Sequence, residues 1–160
     1  MALTVGPNLA LLVNGLQGEV HYTNLMAMWR GLDALVQAHA KSATTAAQPG
    51  SPADGDVYIV PTGATGTPWS TNTGKIARYS SVTAAWEFYV GKKGWNIFVE
   101  DLNATYQHDG TSFKYYQGQG TGAARPSSNI LTGAMYFNTT TGKPNWYSGS
   151  GWVDATGTAA

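Results

Sequence analysis

The sequence predicts a mainly β fold with one N-terminal α-helix, which is followed by two small antiparallel β modules. Apolar residues recur at helical spacing between residues 24 and 41. Beyond residue 53, short aromatic-rich runs alternate with Gly, Asn and Asp turns at intervals of roughly 8–12 residues, which is typical of meandering antiparallel sheets. The predicted organisation is an arm at 1–20, a helix at 21–41, a linker at 42–53, an aromatic-rich β module at 54–117, a second linker at 118–128 and a C-terminal β module at 129–160.

The first twenty residues contain short apolar runs that Gly and Pro interrupt, so we expect an extended arm or a short strand pair there. The apolar run at 9–13 is too short for a signal peptide and has no basic region before it. The sequence has no apolar run of about 18 residues, so membrane insertion is not expected.

The predicted helix carries an apolar stripe at Leu25, Met28, Leu32, Leu35 and His39. This 3-4-3-4 spacing is that of the a and d positions of a coiled coil. Two interpretations stay open: the helix packs on its own domain, or it pairs with copies of itself. A helix of this length is too short for a stable solitary coil, so self-association needs further contacts. In a trimer, His39 would form a ring of three on the axis and set the register.

The two linkers are rich in small residues, Gly and Pro, and the β segments between them contain one strong hairpin signal, Asp109-Gly110. Each β module is small for independent stability. We therefore expect association with other copies to supply the missing burial.

Motifs in two parts of the chain resemble those of known families. The first set lies at 32–37, 52–60, 74–77, 86–89 and 94–95. With these motifs the stretch from Glu19 to Tyr115 resembles the phage tail-associated family DUF2793. The second set lies at 125–127, 133–144, 146 and 151–157. It resembles a motif of the tail-fibre, spike and head-decoration proteins of tailed bacteriophages.

The resemblance implies a structural or adhesion component of the virion, usually a homotrimer, on the tail or the capsid surface. A short fibre, a tail-tip accessory protein and a capsid decoration protein all fit the length of 160 residues. The arm and helix would attach it to other virion proteins, or the arm would swap within the trimer. The resemblance supplies no catalytic residues.

The composition excludes several other classes. Nine basic and nine acidic residues give zero net charge, so no nucleic-acid partner is expected. The absence of cysteine excludes disulfides, cysteine zinc sites and thiol nucleophiles, and we expect no cofactor and no metal. Only 11% of residues are charged, where about 25% is usual, so a large share of the surface is expected to be buried between subunits.

A glycan hydrolase is a weak alternative, because it requires two facing carboxylates, here Glu87 or Glu100 with Asp109. Asp109 precedes Gly110 and is better explained as a turn former, so we do not expect an enzyme. A site in which residues 108–109 and 100–101 bind a cation across a hairpin is an equally weak alternative.

A carbohydrate-binding module that recognises host surface glycans is the stronger alternative, because aromatic rings can stack on sugars. Most of the aromatic residues are expected to build the cores of the β modules. Trp69 lies in a predicted loop and is the best candidate for an exposed glycan contact.

Overall fold

The structure is a computed structural model that describes residues 19–160, with side chains described from residue 22 onwards. The predicted arm at 1–20 lies outside the described residues, except that Glu19 and Val20 begin helix α1 (Glu19–Leu35). The predicted class, mainly β with one N-terminal helix, is confirmed. The strands are β1 (His39–Ala40), β2 (Val57–Ile59), β3 (Ile76–Ser80), β4 (Ala85–Tyr89), β5 (Asn96–Val99), β6 (Ala104–His108), β7 (Phe113–Gly120), β8 (Ile130–Asn138), β9 (Lys143–Tyr147) and β10 (Trp152–Val153).

Helix α1 ends earlier than the predicted boundary at residue 41. Gln37 adopts a left-handed φ of 52°, which takes the chain out of the helix. His39 and Ala40 then pair in parallel with Phe98 and Val99 of β5. His39 was predicted to continue the helical stripe, and this was wrong, because it lies on an extended strand whose partner is distant in sequence.

Seven strands form one sheet in the order β1-β5-β6-β7-β8-β9-β10. The pairs β1–β5 and β7–β8 are parallel, and the other neighbours are antiparallel. Strand β7 starts in the first predicted module and β8 lies in the second, so the segment 118–128 joins two neighbouring strands and does not separate two sheets. A single 3-10 turn at Gly122–Ala124 lies within this connection.

The remaining strands form a three-stranded sheet in the order β2-β3-β4. The segment predicted as a linker at 42–53 runs beside this sheet, because Ser42 forms an isolated bridge with Tyr58 and Ala47 forms one with Thr65. The Ser42 hydroxyl accepts hydrogen bonds from the backbone N–H groups of Thr44 and Thr45 at 3.0 and 3.2 Å.

The main core lies between the inner face of the seven-stranded sheet and one face of the three-stranded sheet. Ile59 and Ile76 of the smaller sheet pack with Ile97 and Phe113 of the larger one, and all four are buried. Ala34 at the end of α1 joins the same cluster. The helix and both sheets therefore share one hydrophobic core.

Candidate functional surfaces

Helix α1 presents small residues to the core. Gly31 and Ala34 are buried, and Ala34 is only 1% exposed. Residues without bulk let the helix lie close to the sheet, since little side-chain volume separates the two backbones. The helix is thus packed on its own domain, which was one of the two interpretations left open by the sequence.

Ion pairs fasten the same side of α1 to the three-stranded sheet. Arg30 Nε lies 2.7 Å from Glu87 Oε1, and Arg78 Nη2 lies 3.3 Å from Asp33 Oδ2. The hydroxyl of Tyr89 donates to the second oxygen of Glu87 at 3.2 Å. Burial, together with the adjacent Glu87 charge, raises the pKa of Tyr89 far above its usual value. Glu87, a candidate catalytic carboxylate from the sequence, is therefore held in a structural network.

The opposite side of α1 carries a second apolar stripe, whose residues are exposed except for the half-buried Leu25. It comprises Tyr22, Leu25, Trp29, Leu32 and Val36, and we call it the outer stripe. Tyr22 is 62% exposed, Trp29 55% and Val36 57%. Val36 continues the last turn, since its N–H donates to the Leu32 carbonyl at 2.9 Å. The spacing is again 3-4-3-4, that of a coiled-coil seam.

The outer stripe differs in register from the stripe predicted at Leu25, Met28, Leu32, Leu35 and His39. Leu25 and Leu32 belong to both stripes. Met28 and Leu35 are half-buried at the flank of the helix, and Leu35 packs against the core. The outer stripe could have been recognised in the sequence. The helix positions opposite it hold Ala and Gly, the small residues that pack against the sheet.

A groove of about 510 Å³ runs beside the outer stripe, between α1 and the turn that joins β3 to β4. Most of its exposed wall is apolar, although four charged side chains also line it, and the exposed Val82 lies at the tip of the turn. The groove is lined by Tyr22, Thr23, Met26, Trp29, Arg30, Asp33, Asp54, Arg78, Val82 and Thr83. The outer stripe and the groove share Tyr22 and Trp29 and are therefore continuous with each other.

The outer face of the seven-stranded sheet is a second candidate surface. Strand pairing aligns one residue of each strand in a row across this face, and none of these residues is buried. A depression of about 300 Å³ lies along the row, between β5 and β8. The row consists of His39, Phe98, Thr105, Gln117, Met135, Trp146 and Val153.

Of the other candidate carboxylates and histidines, Asp109 and His108 have structural environments, whereas Glu100 is exposed and lies 3.9 Å from the His39 ring. Asp109 accepts hydrogen bonds from Lys114 and the Thr111 and Ser112 backbone, which hold its pKa well below the usual value. His108 is buried, and its Nδ1 accepts the Gly110 N–H at 3.1 Å. Within residues 22–160, no group of three or more His, Cys, Asp or Glu side chains is placed to hold a metal ion.

Trp69 was predicted to be exposed in a loop, and this was wrong. It is 0% exposed and covers the side of the three-stranded sheet that faces away from the main core. Its ring lies edge-on to Trp86 at 4.8 Å, and its indole N–H donates to the Thr45 carbonyl at 3.2 Å. The residues around the ring bury it completely, so Trp69 has no free ring face for a sugar.

Together the fold and its surfaces define a β-rich domain that carries one docked, amphipathic helix. The sequence profile of the family described as "Protein of unknown function (DUF2793)" matches residues 27–114, and the chain belongs to this family. The match runs from the middle of α1 to the start of β7 and includes the whole three-stranded sheet. No curated protein matches the chain. Within the part of the chain described, no helix is both long and apolar enough to cross a membrane.

Proposed function

We propose that this chain is a non-catalytic structural component of a tailed-phage virion and that it assembles as a homotrimer through the outer stripe of α1. The observation that carries the proposal is the exposed heptad spacing on a helix that is already packed on its own domain. The resemblance of its sequence motifs to those of phage tail and head-decoration proteins supports the virion assignment.

The exposed side chains provide the driving force for assembly. Fully burying a side chain of the size of Leu or Val stabilises an association by on the order of 1.5–3 kcal/mol. Trp29, Leu32 and Val36 are all more than a third exposed in the single chain, so each of them has apolar surface left to bury. An identical helix has the same spacing, which makes the stripe complementary to itself.

The attachment of α1 to the domain removes the main objection to so short a coil. An isolated helix of 17 residues must be ordered before it can pair. Here the Arg30–Glu87 and Arg78–Asp33 pairs and the buried Ala34 hold the helix in place before assembly. Less conformational entropy is therefore lost on association.

The N-terminal region is the proposed point of attachment to the capsid or tail, and the β sheets then project from it. Helix α1 leads directly from that region into the core. The second phage-like motif set begins just after the 3-10 turn and continues through β8, β9 and β10, at one end of the seven-stranded sheet.

Light scattering of the intact protein after size-exclusion chromatography tests the assembly. We expect a trimer at micromolar concentration for the parent chain and a monomer for the double variant Trp29→Ser/Leu32→Ser. Val90→Ser is the matched control, because Val90 is 59% exposed but lies outside α1, and it should remain a trimer. A monomeric parent chain, or a double variant that stays trimeric with unchanged circular dichroism, would overturn the proposed assembly.

Labelling of purified phage particles with an antibody against this chain tests the virion assignment separately. Labelled heads or tails are the expected result. Particles that lack the chain would exclude a virion role, whatever the oligomeric state.

A further inference from the structure

We propose that the depression on the outer face of the seven-stranded sheet is a binding site for a neutral saccharide. This inference goes beyond the structural role and does not depend on it. It also places the ligand on a different surface from Trp69, which is buried.

The depression has aromatic residues at both sides and amides between them. Phe98 on β5 and Phe137 on β8 are 38% and 41% exposed. Gln117 and Gln119 on β7 lie between these strands, opposite Met135 and Phe137 of β8. Asn103, Ala104, Thr105 and Gly118 complete the lining. The volume of about 300 Å³ is at the lower end of the range, about 300–1,000 Å³, that small-molecule sites occupy.

The amides of the depression are free to bind. Within residues 22–160, the side chains of Gln117 and Gln119 form no hydrogen bond to the protein. Elsewhere on the same face, Gln107 donates to Asn96 at 3.1 Å and is therefore occupied. A primary amide offers both donors and an acceptor, which matches the hydroxyl groups of a sugar, since each hydroxyl also donates and accepts.

The aromatic rings match the apolar C–H surface of a sugar. The C–H groups of a pyranose form an apolar surface that packs on ring faces and edges. The His39 ring stacks on one side of Phe98, with centroids 5.7 Å apart and an interplanar angle of 9°. This contact restricts the rotation of Phe98, and a ring that is already restricted loses less entropy when the ligand binds.

The lack of charged residues in the site indicates the class of sugar. None of the described residues that line the depression is charged. A sialylated, sulfated or uronic acid ligand would leave its anion without a cationic partner, and desolvating it there is unfavourable. The site is therefore matched to neutral hexoses and N-acetylhexosamines.

A second copy of the chain fits this face less well than a saccharide. A flat protein interface would bury Gln117 and Gln119, and each amide left without a partner would cost about 1–3 kcal/mol. The outer stripe of α1, by contrast, is almost entirely apolar and is already complementary to itself. Self-association is thus assigned to the helix, and the sheet face stays open.

The test is binding of the intact protein to an array that carries neutral oligosaccharides of glucose, galactose, mannose and N-acetylglucosamine beside sialylated and sulfated ones. Isothermal titration with the best neutral oligosaccharide then compares the parent chain with Gln117→Ala, Gln119→Ala and Phe137→Ala. We expect each variant to weaken binding about tenfold, the effect of about 1.4 kcal/mol. Gln107→Ala, on the same face but outside the depression, is the matched control and should bind as the parent does.

Three binding results would overturn the site. They are an array without a neutral ligand, a preference for the acidic glycans, and unchanged affinity in all three depression variants. A change of oligomeric state in Gln117→Ala or Gln119→Ala would also overturn it, because the face would then be an interface between copies. The three binding results do not bear on the Trp29→Ser/Leu32→Ser experiment, so the saccharide site and the helix-mediated assembly can fail separately. A change of oligomeric state in a Gln117 or Gln119 variant would count against both proposals.

Discussion

Arg30 on α1 and Glu87 on β4 form a direct ion pair, with 2.7 Å between Nε and Oε1. Their side chains are 19% and 20% exposed, so the pair is largely shielded from water. The two residues are 57 positions apart in the sequence. The pair fixes the helix against the sheet and thereby turns the outer stripe towards solvent.

Replacing one member of this pair should destabilise the fold. In Arg30→Ala, Glu87 loses a charged hydrogen-bond donor while it stays partly buried, and such bonds contribute about 1.5–3 kcal/mol. Urea unfolding should show a loss of this size. Lys143→Ala serves as the control, since Lys143 is exposed, and it should change stability by less than about 0.5 kcal/mol. Equal unfolding midpoints for Arg30→Ala and the parent would show that other contacts hold the helix.

Trp69→Ala should be among the most destabilising single substitutions in the chain. The ring is fully buried against Tyr58 and Trp86, and truncation leaves a cavity there. Such truncations cost about 3–5 kcal/mol. Denaturant unfolding measures the loss, and Val82→Ala, at a position 80% exposed in the turn between β3 and β4, should be nearly neutral. If Trp69→Ala unfolds with the parent midpoint, the cluster around Trp69 does not support the sheet.

Gly91→Ala should also destabilise the protein, although alanine is usually harmless in an extended segment. A Cβ at Gly91 would lie 2.5 Å from Cδ2 of His108 and 2.8 Å from Cε2 of Phe113, both of which are buried. Overpacking of this kind costs about 1–3 kcal/mol. Thermal and urea unfolding should both report it. Gly50→Ala is the matched control, because nothing lies within 4 Å of a Cβ there, and a loss as large in this variant would contradict the steric explanation.

His108 should make stability fall as the pH decreases. Burial lowers the pKa of His108 below its ordinary value of 6.5, against the opposing charge of Asp109. The unfolded chain then binds the proton more readily than the folded one. The contribution of neutral His108 to the free energy of unfolding is therefore complete above pH 6.5. It is lost as the pH falls from 6.5 towards the lower pKa of the folded state, with a slope of at most about 1.4 kcal/mol per pH unit. Urea unfolding between pH 8 and 5 should show this slope for the parent and a flatter profile for His108→Gln. A parallel profile in the variant would assign the slope to other groups.

Much of the fold was predictable because its signals are local. The alternating aromatic runs correspond to strands, and the Asp109-Gly110 pair lies in the turn between β6 and β7, as the hairpin rule predicts. The end of α1 was not predictable in this way. Residues 36–41 contain neither Gly nor Pro, and the helix ends there because the backbone of His39 and Ala40 pairs with β5, almost 60 residues further on.

The candidate surfaces were less predictable than the fold. Both apolar stripes of α1 have heptad spacing, and only the position of the core shows that Leu35 faces inwards while Trp29 faces out. The depression on the sheet face brings together Phe98, Gln117 and Phe137 from three strands. No local pattern indicates this grouping, because it depends on strand order and on the parallel pairing of β7 with β8.

The sequence by itself determined the class of fold, the family motifs and the scarcity of charge, since these follow from composition and short-range spacing. Tertiary structure alone decided which residues are free to bind. The most conspicuous loop tryptophan, Trp69, became a core residue, while Phe98 and Phe137 remained at the surface. The physical reason is that exposure depends on what packs against a side chain, and in this β-rich chain the packing partners come from distant segments.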